Sequence, residues 1–107
     1  MQAYDLADLL AAHAAAGTLY HEFVRAPSLS TGLYLLPAGA ADSQQPHTEH
    51  EVYYIIDGRA HIRVAEEDRA VAAGSVVFVA AGVEHRFHTI TEDLKILVFF
   101  APPHTRG

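Results

Sequence analysis

The chain contains no cysteine. A disulfide framework, a thiol nucleophile and a thiolate metal site are all excluded by that absence, which fits a cytosolic protein. Basic residues are scarce too. Seven Lys and Arg stand against thirteen Asp and Glu, for a formal charge of −6 at pH 7. No Lys/Arg cluster occurs, which argues against a nucleic-acid partner, because phosphate binding relies on such clusters. No apolar run approaches the roughly 20 residues that a membrane-spanning helix needs. The N-terminus lacks a basic stretch ahead of its apolar residues and carries Asp5 and Asp8 among them, unlike a signal peptide. These absences predict a cytoplasmic protein with neither membrane nor nucleic acid as partner.

What is present suits one globular domain. Half of the 107 residues are hydrophobic, enough for a usable core and against disorder. Residues 4–16, YDLADLLAAHAAA, predict a short helix: Ala and Leu dominate, Leu6, Leu9, Leu10 and His13 share a face, and Gly17 is a natural stop. His13 is expected to be a boundary residue of that packing face. From Thr18 onward β-formers take over, as TLYHEFVRA, STGLYLLPAG, EVYYII, the β-branched run 71–79 and LKILVFF. Short strands punctuated by turns predict an all-β architecture, a small antiparallel barrel or jelly roll. The expected division is a helix over 1–17 packing on a single barrel over 18–107.

Chemistry concentrates in QPHTEHEVYYIIDG, residues 45–58. Along an extended segment Gln45, His47 and Glu51 share one face, and His50 faces the other way. An imidazole, a carboxylate and an amide oxygen suit a divalent cation, but one strand cannot surround an ion. The further ligand is expected from His85. Asp57-Gly58 is expected to close a two-residue hairpin, which puts Glu51, Tyr53, Ile55, Ala60, Ile62 and Val64 on one face. Glu51 would then be a lone carboxylate among apolar neighbours, expensive unless a cation compensates it. His61 is assigned to the outer surface, Glu66-Glu67-Asp68 and Thr91-Glu92-Asp93 to turns, and Thr89 to the face of His85 and Phe87. Residues 101–107 are expected to form a tail that Pro102 and Pro103 keep out of the sheet.

Two spaced motifs carry a family resemblance. Gln45-x-His47-x3-Glu51-x6-Gly58 resembles the first cupin motif, usually H-x-H-x3-4-E-x6-G. Gly74-x5-Ala80-x-Gly82-x2-His85-x3-Thr89 resembles the second, usually G-x5-P-x-G-x2-H-x3-N. The fifteen intervening residues suit the short spacer of small single-domain cupins. The chain departs from the pattern at Gln45, in place of the first histidine, at Ala80, in place of proline, and at Thr89, in place of asparagine.

The resemblance implies a cupin-like barrel holding a divalent transition metal (Fe, Mn, Ni, Cu or Zn) with Gln45, His47, Glu51 and His85. Gln45 would give a weak neutral oxygen, or a hydrogen bond to a bound water or substrate. Two functions follow. One is a metal-dependent enzyme, dioxygenase- or isomerase-like, acting on a small organic molecule. The other is a non-catalytic module binding a small ligand or metal for sensing or storage. Tyr53 and Glu49 are the candidate catalytic side chains. The outward apolar residues of 52–56 and 94–100 predict a homodimer.

Overall fold

Two long strands form the spine of the structure, a computed structural model that describes residues 1–42 and 46–105. β3 (His50–Val64) and β6 (His85–Ala101) run antiparallel from the His50/Ala101 pair to the Val64/His85 pair. β2 (Leu29–Leu36) lies beside the second half of β6, and β1 (Tyr20–Ala26) beside β2. Along the other edge of β3 lie β4 (Glu67–Ala72) and β5 (Val76–Val79). All of these pairings are antiparallel, and the result is a jelly-roll-like β fold.

One short helix, α1 (Leu6–Ala16), packs on β1 and β2. It ends at Gly17, whose left-handed backbone (φ 69°) lets its N–H reach the His13 carbonyl. His13 is buried, and its Nε2 lies 2.6 Å from the Leu19 carbonyl. It therefore ties the helix to the sheet. Among the described residues no helix is long and apolar enough to cross a membrane.

Two expected turns are not turns, and a third falls at Ala65 and Glu66, with Glu67 and Asp68 already in β4. Asp57 and Gly58 lie inside β3, where the pairing with β6 slips around Asp57, and Thr91, Glu92 and Asp93 lie inside β6. The faces assigned to residues 51–64 nevertheless match the structure: Glu51, Tyr53, Ile55, Ala60 and Ile62 are all buried. Both a two-residue hairpin and this irregularity switch the inward positions from odd to even numbers, so the parity survives the wrong connection. β6 makes the same switch, from His85 and Phe87 to Ile90, Leu94 and Ile96. Thr89 sits at that switch with φ 49° and is exposed, contrary to its expected place on the His85 face.

The inward faces meet in one core that includes Leu36, Tyr53, Ile55, Phe87, Leu94 and Ile96. Each such side chain contributes about 1.5–3 kcal/mol by leaving water. Gly58 is where the two long strands come closest to conflict. Its φ is 103°, and an added Cβ would collide with the Asp93 carbonyl. Gly39 also has a positive φ, 79°, but faces open space. Gly58→Ala is accordingly expected to cost about 2–4 kcal/mol and Gly39→Ala about 1 kcal/mol. Denaturant unfolding of both variants checks this, and equal losses would contradict the close approach.

Candidate metal centre

The core face of β3 opens on a carboxylate. Glu51 is 1 % exposed, and its neighbours across the sheet are Val79 on β5 and Phe100 on β6. Two imidazoles approach it. His47 Nε2 lies 3.2 Å and His85 Nε2 3.3 Å from the same Glu51 oxygen. Neither approach has hydrogen-bond alignment: both Glu51 oxygens and His85 Nε2 are buried without a hydrogen-bond partner among the described residues.

Local structure fixes the two histidines. His85 Nδ1 lies 2.8 Å from the Val83 carbonyl, which leaves Nε2 facing Glu51. The turn before β6 holds the approach to β3 at two points. Gly82 N–H donates to the His47 carbonyl, and Ala81 N–H donates to His50 Nδ1. His50 thus points away from Glu51, as its strand position predicts, and also packs 5.7 Å from the ring of Phe78. Gln45 lies outside the described residues.

The geometry fits a divalent ion. Donors on one ion with bonds of about 2.0–2.2 Å lie roughly 2.8–3.6 Å apart, depending on coordination geometry. The two separations fall in that interval, and one donor atom from each of the three residues lies within 4.8 Å of the others. The electrostatics agree. Burial pushes the His47 pKa down and outweighs the pull of Glu51, so its imidazole is neutral and able to donate a lone pair near pH 7. Burial also pushes His85 down, but Glu51 and the Val83 carbonyl raise it on balance. A buried carboxylate needs a positive partner. A proton on His85 or a metal ion between the three side chains would each supply one.

Beside this group is a cavity of about 160 Å³ walled by Tyr20, Tyr34, His47, Tyr53, Val98, Phe100 and His104. Tyr53 is fully buried, 6.1 Å from the His85 ring and 5.0 Å from Phe87. A larger polar recess of about 300 Å³, between Arg63, Ala65, Glu84, His85 and Arg86, touches only one of the three residues. Asp42 braces the aromatic side of the small cavity, accepting from the Tyr34 hydroxyl at 2.9 Å and the Phe87 amide at 2.8 Å. Burial and the Asp42 charge push the Tyr34 hydroxyl well above its ordinary pKa.

The C-terminal segment completes the wall, a role no spacing rule would reveal. His104 stacks on Phe100 with ring centres 4.4 Å apart and lies 5.0 Å from the His47 ring. Glu49 holds it there. This residue, a catalytic candidate on sequence grounds, is 2 % exposed and spent on structure. Its carboxylate accepts from His104 Nδ1 at 3.0 Å, from the Thr105 amide at 3.2 Å, and from the hydroxyls of Thr105 and Thr48. Such a saturated carboxylate is a clamp rather than a free base.

A family model described as the cupin domain matches residues 32–100. The chain belongs to the cupin family. This cupin is 50 % identical to an uncharacterized protein of Streptomyces coelicolor over 105 residues, 98 % of this chain and all of the relative. Among solved structures, TT1209 from Thermus thermophilus is 25 % identical with a TM-score of 0.76, covering 96 % of this chain and 99 % of that one. KdgF from a Halomonas species is 17 % identical with a TM-score of 0.71, covering 78 % of this cupin and 76 % of that protein, a likeness of fold. The lyase DddQ of Ruegeria pomeroyi, named for DMSP, is 26 % identical with a TM-score of 0.67; the match covers 71 % of this cupin and 39 % of the lyase.

The clamp has an acid signature. Burial pushes the Glu49 carboxyl up, but its hydrogen bonds win and hold it at about 2, against an ordinary 4.5. The unfolded chain therefore takes up this proton first as pH falls. The clamp's stability is complete above about pH 4.5 and is lost as pH drops through about 2. The difference in unfolding free energy between the native chain and Glu49→Gln is expected to shrink over that interval. A difference independent of pH would contradict the clamp.

Proposed function

We propose that this cupin is a metal-dependent enzyme for a compact small molecule, with a divalent transition metal held by His47, Glu51 and His85. One observation carries the proposal: a buried carboxylate and two inward imidazoles share donor spacing suited to an ion, and Glu51 and His85 lack hydrogen-bond partners for the atoms concerned. Two nitrogens and a carboxylate oxygen suit Fe, Mn, Ni, Cu or Zn. When bound, such an ion supplies Lewis acidity or redox chemistry. Gln45 enters as a weak neutral ligand or a hydrogen-bond donor to what binds there.

The protein's own groups define the rest of the task. Three strong ligands leave coordination positions open, whereas a closed set of four favours a structural site. His47 forms both the metal side and part of the cavity wall. A cavity of about 160 Å³ is close to one that admits a benzene-sized guest and is below the usual range for drug-sized ligands. Its aromatic walls favour a flat or largely apolar body, with an oxygen-bearing end directed at the ion. The buried tyrosines and the His104 ring shield that end from water. That the fold hosts chemistry is illustrated by the DMSP lyase of Ruegeria pomeroyi.

Elemental analysis of protein purified without chelators or an affinity tag is expected to find one ion per chain, lost in Glu51→Ala and in His85→Ala. Absence of metal, with no thermal stabilisation by added Mn, Fe, Ni, Cu or Zn, would refute the proposal. Protein loaded with cobalt(II) is expected to change its visible spectrum on addition of azide, which enters an open position. A loaded site indifferent to azide would favour the non-catalytic module for sensing or storage.

A second copy of the chain is the proposed partner. Val52, Tyr54, Val76, Phe78, Leu97 and Phe99 adjoin one another across β5, β3 and β6 on the outer face. Val76 and Phe78 are 61 % and 59 % exposed. None of the six carries charge, so in a chain of charge −6 a copy of the same face approaches without desolvating an ion. Light scattering at micromolar concentration is expected to give about twice 11.6 kDa, and Phe78→Glu the single mass. A monomer across that range would show that this face stays open.

A further inference from the structure

A second group of metal-ligand side chains sits on the outside of the sheet, independent of the barrel site. His61 on β3 is paired directly with His88 on β6, and Asp68 on β4 lies diagonally across from His61. Their neighbours Ala60, Ile62, Val71 and Phe87 are buried, so alternation turns all three outward. His61 lies on the outer surface, as its strand position predicts, and Asp68 lies in β4 rather than in the expected turn. The sheet places them side by side.

The three converge closely. His88 Nε2 lies 2.7 Å from one Asp68 oxygen and His61 Nδ1 3.4 Å from the other. The imidazole rings are 5.5 Å apart, and one donor atom from each residue lies within 4.8 Å of the others. His88 Nδ1 is 3.0 Å from the Thr89 hydroxyl, so its ring is held from the far side with Nε2 toward Asp68. Arg63, opposite Asp68 in the register, directs its Nε to the Ala65 carbonyl at 3.2 Å. Among the described residues both ion-pair partners of Asp68 are thus imidazoles, each able to ligate a metal.

We propose that His61, Asp68 and His88 form a surface site for Zn(II), Ni(II) or Cu(II). Two imidazoles and one carboxylate match these ions by donor type, and water fills the remaining positions. The ion sits between the imidazoles and the carboxylate, and because only a neutral imidazole can ligate, it is released as pH falls. Because the ligands come from three adjacent strands, occupancy staples β4 to the β3/β6 spine. The side chains are partly exposed, so binding is weaker than in the buried group and is filled second.

Zinc titration of the full chain, followed by calorimetry and equilibrium dialysis, tests the site. The native chain is expected to bind one more equivalent at micromolar zinc than His61→Ala/His88→Ala does. The near-isosteric Asp68→Asn is expected to weaken that equivalent at least tenfold. The readout is the difference between chains, so it survives even if the barrel site binds nothing, in which case every count falls by one. Thermal unfolding of the native chain should rise further as the extra equivalent fills, with no such rise in the double variant. Equal stoichiometry in the native and double-variant chains, or unchanged affinity in Asp68→Asn, would overturn the proposal.

Discussion

The buried Glu51 carboxylate is the constraint on which the rest of the structure turns. Removing such a charge from water costs several kcal/mol unless it is paired, and its core neighbours include Val79 and Phe100, which offer no side-chain donor. The fold does not relieve this cost with a hydrogen bond among the described residues. It brings His47 and His85 to the carboxylate from the chain's two separate motifs instead. A site built this way is poised between two compensations, a proton on His85 or a divalent ion. The cavity of about 160 Å³ beside it shares His47 with this group.

Several features that look separate serve that group. The turn at Ala81 and Gly82 grips the backbone of His47 and the ring of His50, so one loop sets both the β3 approach and the start of β6. The irregularities at Asp57 and near Thr89 switch the inward positions of the two long strands, which keeps their apolar residues in the core on both sides of the bend. Asp42 and Glu49, two buried carboxylates whose oxygens accept from well-placed donors, hold the aromatic wall and the C-terminal segment. They contrast with Glu51, which has no such donor among the described residues. Three acids in similar burial thus divide into two structural ties and one candidate ligand by their hydrogen bonds alone.

Much of this was legible in the residues. The period-two pattern, the single Ala/Leu-rich segment and the two spaced motifs pointed to an all-β cupin with one short helix. Alternation put Glu51 and Tyr53 inward and His50 outward. The connection at Asp57-Gly58 differs from the expected hairpin because Asp-Gly signals both a hairpin turn and a strand irregularity, and local propensity does not separate them. His104, Asp42 and the clamp role of Glu49 were invisible for another reason. They depend on contacts between segments far apart in sequence, which no periodicity encodes. The meeting of His61, Asp68 and His88 was hidden likewise, since it needs the register of three strands.

Anomalous X-ray diffraction from crystals of protein purified without chelators would reveal whether an ion sits between His47, Glu51 and His85. One strong peak is expected inside the barrel, about 2.0–2.2 Å from His47 Nε2, Glu51 Oε1 and His85 Nε2. A barrel with no peak, in which Glu51 instead makes a direct, aligned hydrogen bond to a protonated His85, would contradict that expectation.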